Sequence, residues 1–132
     1  MDQDGKLLPE GQGTVTQGAP LYAQRCAMCH GPNDEGTNTP AGVGPLLVAP
    51  DQQGTRGIRG YYFSTTLFSF IIRAMPMHQE RTISVDDTYA LTAYLFYRNG
   101  IIRENEQMNA KTLPRVSMPN RDEWSPPPET SG

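Results

Sequence analysis

Cysteine is scarce in this chain of 132 residues, with two, and histidine is equally scarce. Two cysteines are too few for the disulfide framework that holds many small secreted domains together, and a structural zinc site would need further ligands at knuckle spacing. No apolar stretch approaches the ~20 residues that a membrane-spanning helix needs; the longest candidate runs only from Leu67 to Ile72. Positive charge is not in excess either. Eleven Lys and Arg against fourteen Asp and Glu leave a net charge of -3, which excludes the basic face of a nucleic-acid-binding protein. Core-forming material is thin: hydrophobic residues make up 36% of the chain, diluted by 13 glycines and 12 prolines. A single domain of this composition needs something other than its own side chains at its centre.

Both cysteines fall in one run, Cys26-Ala27-Met28-Cys29-His30. C-x-x-C-H is the spacing of covalent haem attachment. The two thiols add across the vinyl groups of the porphyrin, and the histidine that follows presents Nε2 to the iron. A thioredoxin-like dithiol shares the C-x-x-C spacing, but it belongs in a βαβ context and does not require a histidine next to it. A zinc site would have to recruit His78, which stands alone among polar residues. A disulfide would leave His30 without a reason. Haem is therefore the reading, and a flat, mostly apolar macrocycle also supplies the missing centre of the core. Little stable tertiary structure is expected without it.

Around the motif the chain divides into three. Residues 1–17 carry no apolar period and read as a flexible lead-in. From Gly18 a helical period in Ala19, Tyr22, Ala23 and Cys26 predicts a helix running through the motif and stopping near Gly31-Pro32, with Pro20 in its first turn. Gly31 to Gly60, rich in glycine and proline, is expected to wrap as loop without sheet. Ser64 or Thr65 can cap a helix over Thr66 to Ala74, which Pro76 stops, leaving Met75 extended. Ser84-Val85-Asp86-Asp87 has the form of a capping box, and the period in Tyr89, Ala90, Ala93, Tyr94, Phe96 and Tyr97 predicts a second long helix closed by Asn99-Gly100. Residues 101–132, proline-rich towards the end, read as an extended tail packed on the domain or on a partner. The expected fold class is all-α: three main helices, long loops, and the compact domain confined to residues 18–100.

The iron needs a ligand opposite His30. Met28 lies inside the attachment motif and Met1 at a free end, so Met75, at the end of a helix and before Pro76, is the preferred candidate, with Met77 second. Met118, His78 and an open sixth position remain as alternatives, and Met75 and Met77 can also be soft fillers of a haem pocket. A proximal histidine usually donates its Nδ1-H to a carbonyl; Gly44-Pro45-Leu46 is the expected supplier, through Pro45. Arg59 and Tyr61, and less so Arg56 and Tyr62, are donors for the haem propionates, whose burial needs partners. Trp124 in the tail is a cover for the haem edge, an anchor on a partner, or a pin holding the tail to its own domain.

Gly18-x-x-x-Tyr22, Cys26-x-x-Cys29-His30, Gly44-Pro45-Leu46, Met75-Pro76 and Ala93-Tyr94-Leu95 come in an order and spacing that resemble class I c-type cytochromes from Gly18 to Gly100. The resemblance implies that fold around one covalent haem c with His/Met-ligated iron, and first and last helices that cross with Gly18 against Tyr94 or Tyr97. A narrower likeness, in Thr65-Thr66-Leu67-Phe68, Ile72-Arg73-Ala74-Met75-Pro76, Asn105-Glu106-Gln107-Met108-Asn109-Ala110-Lys111-Thr112-Leu113-Pro114 and Met118-Pro119-Asn120-Arg121, is to the haem subunits and cytochrome partners of bacterial sulfite and sulfane dehydrogenases. It implies an electron-transfer protein, not itself an enzyme, that takes single electrons from a molybdenum-cofactor dehydrogenase and passes them to a downstream cytochrome or oxidase. The chain departs from two-haem members of that group in having a single C-x-x-C-H, and it has no molybdenum-binding segment.

Electrons are then expected to enter and leave near Cys26 and Cys29, with Ala27, Gly42, Val43 and the Met75 to Met77 loop as the docking surface. Thioether attachment in bacteria follows export, so a periplasmic location is expected, with a signal peptide removed ahead of the polar Met1-Asp2-Gln3-Asp4-Gly5. The rival class is a haem enzyme or gas sensor with a displaceable sixth ligand, for which His78 is the one candidate distal base.

Overall fold

The helix following Ser84 is the piece on which the other elements pack. Helix α4, Val85–Arg98, starts where Ser84 Oγ accepts the Asp87 N–H at 3.1 Å, with Asp86 and Asp87 at the positive end of its dipole. It buries Tyr89, Leu91, Ala93, Leu95 and Phe96, and Gly100 takes a φ of 71° just past its end, the left-handed turn that glycine tolerates.

The computed structural model describes residues 7–33, 35–39, 42–49, 52, 54–76 and 79–121. Besides α4 these form α1 (Val15–Arg25), α2 (Ala27–His30), α3 (Ser64–Ala74) and 3-10 turns at Gly57–Gly60 and Leu113–Arg115. Two small antiparallel sheets accompany them, one pairing β1 (Gln12–Thr14) with β4 (Gln107–Asn109), the other β2 (Thr37–Thr39) with β3 (Gly42–Gly44). The molecule is mostly helical, but the all-α expectation is corrected by these ladders, which three-residue strands form through backbone pairing that leaves no alternation to read. No described helix is long and apolar enough to cross a membrane.

Helix α1 begins at Val15, ahead of the expected Gly18. The reason is local: Thr14 Oγ1 accepts the Gln17 N–H at 3.3 Å while Gln17 Oε1 accepts the Thr14 N–H at 3.0 Å, a reciprocal capping box. Gly18 then lets α1 close onto α4, because a Cβ there would fall against the Ala90 carbonyl and 2.6 Å from Tyr94 Cβ. Of the two tyrosines offered as its facing residue, Tyr94 is the neighbour. Gly13, in β1, meets the same helix from outside, with a Cβ position 2.7 Å from the Tyr89 carbonyl carbon.

Described residues on both sides of the 18–100 range share its core. Leu8, Val15, Ile102, Met108, Leu113 and Met118 belong to one buried cluster with the α3 and α4 side chains. Residues 101–121 pack on the domain: Ser64 Oγ donates to the Leu113 carbonyl at 2.6 Å, Asn120 Nδ2 donates to the Gly60 carbonyl at 2.9 Å, and the Arg121 guanidinium lies 4.8 Å from the Phe63 ring centroid. This use of Ser64 explains a second difference. It does not cap α3, which starts at Ser64 itself with Phe63 at the N-cap and no side-chain cap.

Candidate functional site

Cys26, Cys29 and His30 sit at a break between two helices. Cys26, with φ -123° and ψ -32°, ends α1 through its N–H to Tyr22 O at 2.9 Å and opens α2, where its own carbonyl takes the His30 N–H at 3.0 Å. Gly31 stops α2 with a φ of 90°. Tyr22, buried in α1, donates its hydroxyl to Gly31 O at 2.6 Å and so pins the end of the motif from the inside.

His30 is oriented by the loop the sequence singled out. Its Nδ1 lies 2.8 Å from the Pro45 carbonyl oxygen; a carbonyl only accepts, so Nδ1 carries the proton and Nε2 keeps its lone pair in the neutral ring. Hairpin β2–β3 brings Pro45 there, and the Gly36 N–H closes the approach with a 2.6 Å bond to the His30 carbonyl. Gly44 is required by closeness: a Cβ on it would fall on the Cys29 carbonyl and 2.9 Å from His30 Nδ1. The expectation that residues 31–60 form no sheet is thus corrected at the place where sheet positions the histidine.

The fit to a C-x-x-C-bound haem rests on this donor set. Two thiols and an imidazole lie within one turn, and the ring nitrogen left over by the Pro45 bond is the one that the motif offers to iron.

The remaining candidates lie on other elements. Met75 is half-buried at the C-cap of α3, extended at φ -111° and ψ 149°, with its N–H on Ile71 O at 3.2 Å. Arg59 is turned inward: its Nε donates to Gly54 O at 3.0 Å and its Nη1 to Asn99 O at 2.6 Å. Tyr61 is half-buried, no described group pairs with its hydroxyl, and burial pushes its pKa up. Arg56 and Tyr62 are exposed. Met28 is 73% exposed while Met118 is packed in the core. Met77, His78 and Trp124 lie outside the described residues, as does the side chain of Val43.

Two residues of the site make contacts that the sequence does not announce. Tyr22 stood in the helical period with nothing to announce its hydroxyl contact. Asn99, read as a turn, is fully buried and donates from Nδ2 to Leu95 O at 2.8 Å and Leu47 O at 3.2 Å while its Oδ1 accepts the Ala49 N–H at 3.3 Å. It thereby ties the loop after Pro45 to the end of α4. Its place at a helix end, followed by Gly100, explains why only the turn was visible.

Residues 13–95 match the family model described as cytochrome C oxidase, cbb3-type, subunit III. The chain is 31% identical over 90 residues to the thiosulfate dehydrogenase of Stutzerimonas stutzeri (strain A1501), a match covering 66% of this chain and 28% of that protein. Its structure is similar to the sulfane dehydrogenase SoxCD from Paracoccus pantotrophus, with a TM-score of 0.84 and 32% identity, covering 96% of this chain and 64% of that one. The chain spans less than two thirds of the length of either relative.

Proposed function

Given that this chain belongs to the cytochrome c family, by its match to the cbb3-type oxidase subunit III model, we propose that it carries single electrons away from a molybdenum-cofactor sulfite or sulfane dehydrogenase. Membership implies a covalently bound haem c, which supplies a reversible Fe(III)/Fe(II) couple. Cys26 and Cys29 tether this single haem through thioethers, and His30 ligates its iron through Nε2. Pro45 holds the His30 ring plane through the Nδ1 bond. Met75 would supply the second iron ligand, which would leave no place for a substrate on the iron. Tyr61, whose hydroxyl no described group pairs with, and the part of Arg59 not engaged by Gly54 and Asn99 serve the propionates.

The single observation that carries this reading is the His30–Pro45 bond inside a C-x-x-C-H turn. It leaves the one imidazole nitrogen that an iron ligand requires. The likeness to the sulfane dehydrogenase structure supports the choice of donor, and a small docking contact near Ala27 and Met28 suits quick release. The acceptor is a downstream cytochrome or oxidase, and the site of action is periplasmic.

Stopped-flow mixing of the oxidised protein with a molybdenum sulfite or sulfane dehydrogenase and its sulfur substrate tests the assignment. One-electron reduction at a rate that rises with dehydrogenase concentration is expected. A protein that dithionite reduces fully, but that these enzymes leave oxidised, contradicts the donor.

A further inference from the structure

The connection between α3 and α4, which carries Met75, is held from the side by the end of α1. Arg25 is the last residue of α1 and directly precedes Cys26. Its Nη2 donates at 2.5 Å to Thr82 Oγ1, a hydroxyl 57 positions further along. Thr82 in turn donates that hydroxyl hydrogen to Gln79 O at 2.7 Å, and the Gln79 N–H donates to Pro76 O at 2.9 Å. Pro76 follows Met75. A continuous run of hydrogen bonds thus leads from the residue beside the first thioether cysteine to the residue beside the candidate distal ligand.

The ends of the connection are fixed separately. Met75 is tied to α3 by its N–H on Ile71 O, and Ile83 is buried just before the Ser84 cap of α4. Between these two points the Thr82 hydroxyl is where α1 grips the connection. The grip is charge-assisted, and the guanidinium stands at the negative end of the α1 dipole, where a cation is favoured.

We propose that the Arg25–Thr82 hydrogen bond is a clasp that holds the Met75 segment against the end of α1 carrying the haem attachment, which makes Arg25 and Thr82 positioning residues for the distal ligand. The inference rests on the reading of Met75 as that ligand. A thioether is a weak, neutral ligand, so its hold on iron depends on how rarely its segment swings away. Opening of the clasp therefore sets how fast an external ligand replaces it.

The test is the rate of cyanide uptake by the oxidised holoprotein, followed together with the long-wavelength thioether-to-iron charge-transfer band. Arg25→Met and Thr82→Val are each expected to raise the rate about three- to tenfold, the range for the net contribution of a typical hydrogen bond. The double variant is no faster than either single one, because both remove the same bond. Thr82→Ser, which keeps the hydroxyl, retains the wild-type rate. A merely structural role would lower the unfolding midpoint without moving the cyanide rate. A wild-type protein that shows the band, with variants that take up cyanide at its rate or with additive single effects, overturns the clasp alone. A wild-type protein that lacks the band overturns the Met75 reading and the clasp with it.

Discussion

Met75→Ala is expected to convert a low-spin oxidised haem into a high-spin or hydroxide-ligated one and to lower the reduction potential by a few tenths of a volt, within the ~0.8 V over which axial ligands tune haem iron. The sign follows from ligand softness: a thioether favours Fe(II) over Fe(III), so its loss stabilises the oxidised state. Position supports Met75 over the other described methionines. It ends α3 in extended backbone and is half-buried, and Pro76 prevents the helix from carrying it further. Met108 and Met118, by contrast, are engaged in the apolar core, and Met28 stands out on the surface. Optical spectra and potentiometry of Met75→Ala beside Met77→Ala decide the matter. An unchanged spectrum in the first and a high-spin spectrum in the second would move the ligand to Met77 and leave Met75 as pocket lining.

The second large effect concerns the fold that holds the site. Gly18→Ala replaces a helix-interior glycine, a change that propensity alone would make stabilising by ~1 kcal/mol. Here the sign reverses. The new methyl has the Ala90 carbonyl and Tyr94 Cβ in its place; one is backbone and the other is fixed to it, so neither can swing aside. Overpacking of this kind costs about 1–3 kcal/mol or more, which at about 4 °C per kcal/mol lowers the melting temperature by roughly 5–10 °C. Thermal unfolding of the holoprotein, followed by far-UV circular dichroism, measures it. A raised melting temperature would show that α1 and α4 do not meet at this glycine.

What could be read beforehand follows from how local each signal is. Helix α4 was legible because its cap, its period and its terminating glycine all lie within the segment, and the ends of the helix agree with them. The start of α1 was also written locally, in Thr14 and Gln17, but the apolar period begins later and drew the boundary to Gly18. The strands were not legible. Gln12–Thr14 and Gln107–Asn109 are short and lie at opposite ends of the chain, so neither predicts its partner. The hairpin of Thr37–Thr39 and Gly42–Gly44 is built on backbone bonds and on the side-chain-free approach of Gly44 to Cys29, which composition reports only as glycine.

The site divides in the same way. Cys26, Cys29 and His30 are adjacent in sequence, so their chemistry is visible there, and Pro45 was found because a proximal histidine needs a carbonyl and a proline offers one. Arg59 is expected as a propionate donor because buried propionates need partners. Two of its nitrogens also bond backbone carbonyls, and the contact with Asn99, 40 positions away, leaves no local trace. The contacts of Arg25 with Thr82 and of Asn99 with Leu47 and Ala49 likewise join residues far apart and leave no local trace.

The account depends on a haem being covalently bound at one place in the chain. Mass spectrometry of the denatured protein, after expression with export and the haem-attachment machinery, tests this directly. The predicted result is the mass of the polypeptide plus one haem, with the added mass confined to the peptide containing Cys26 and Cys29. A colourless protein with the mass of the bare polypeptide would contradict it.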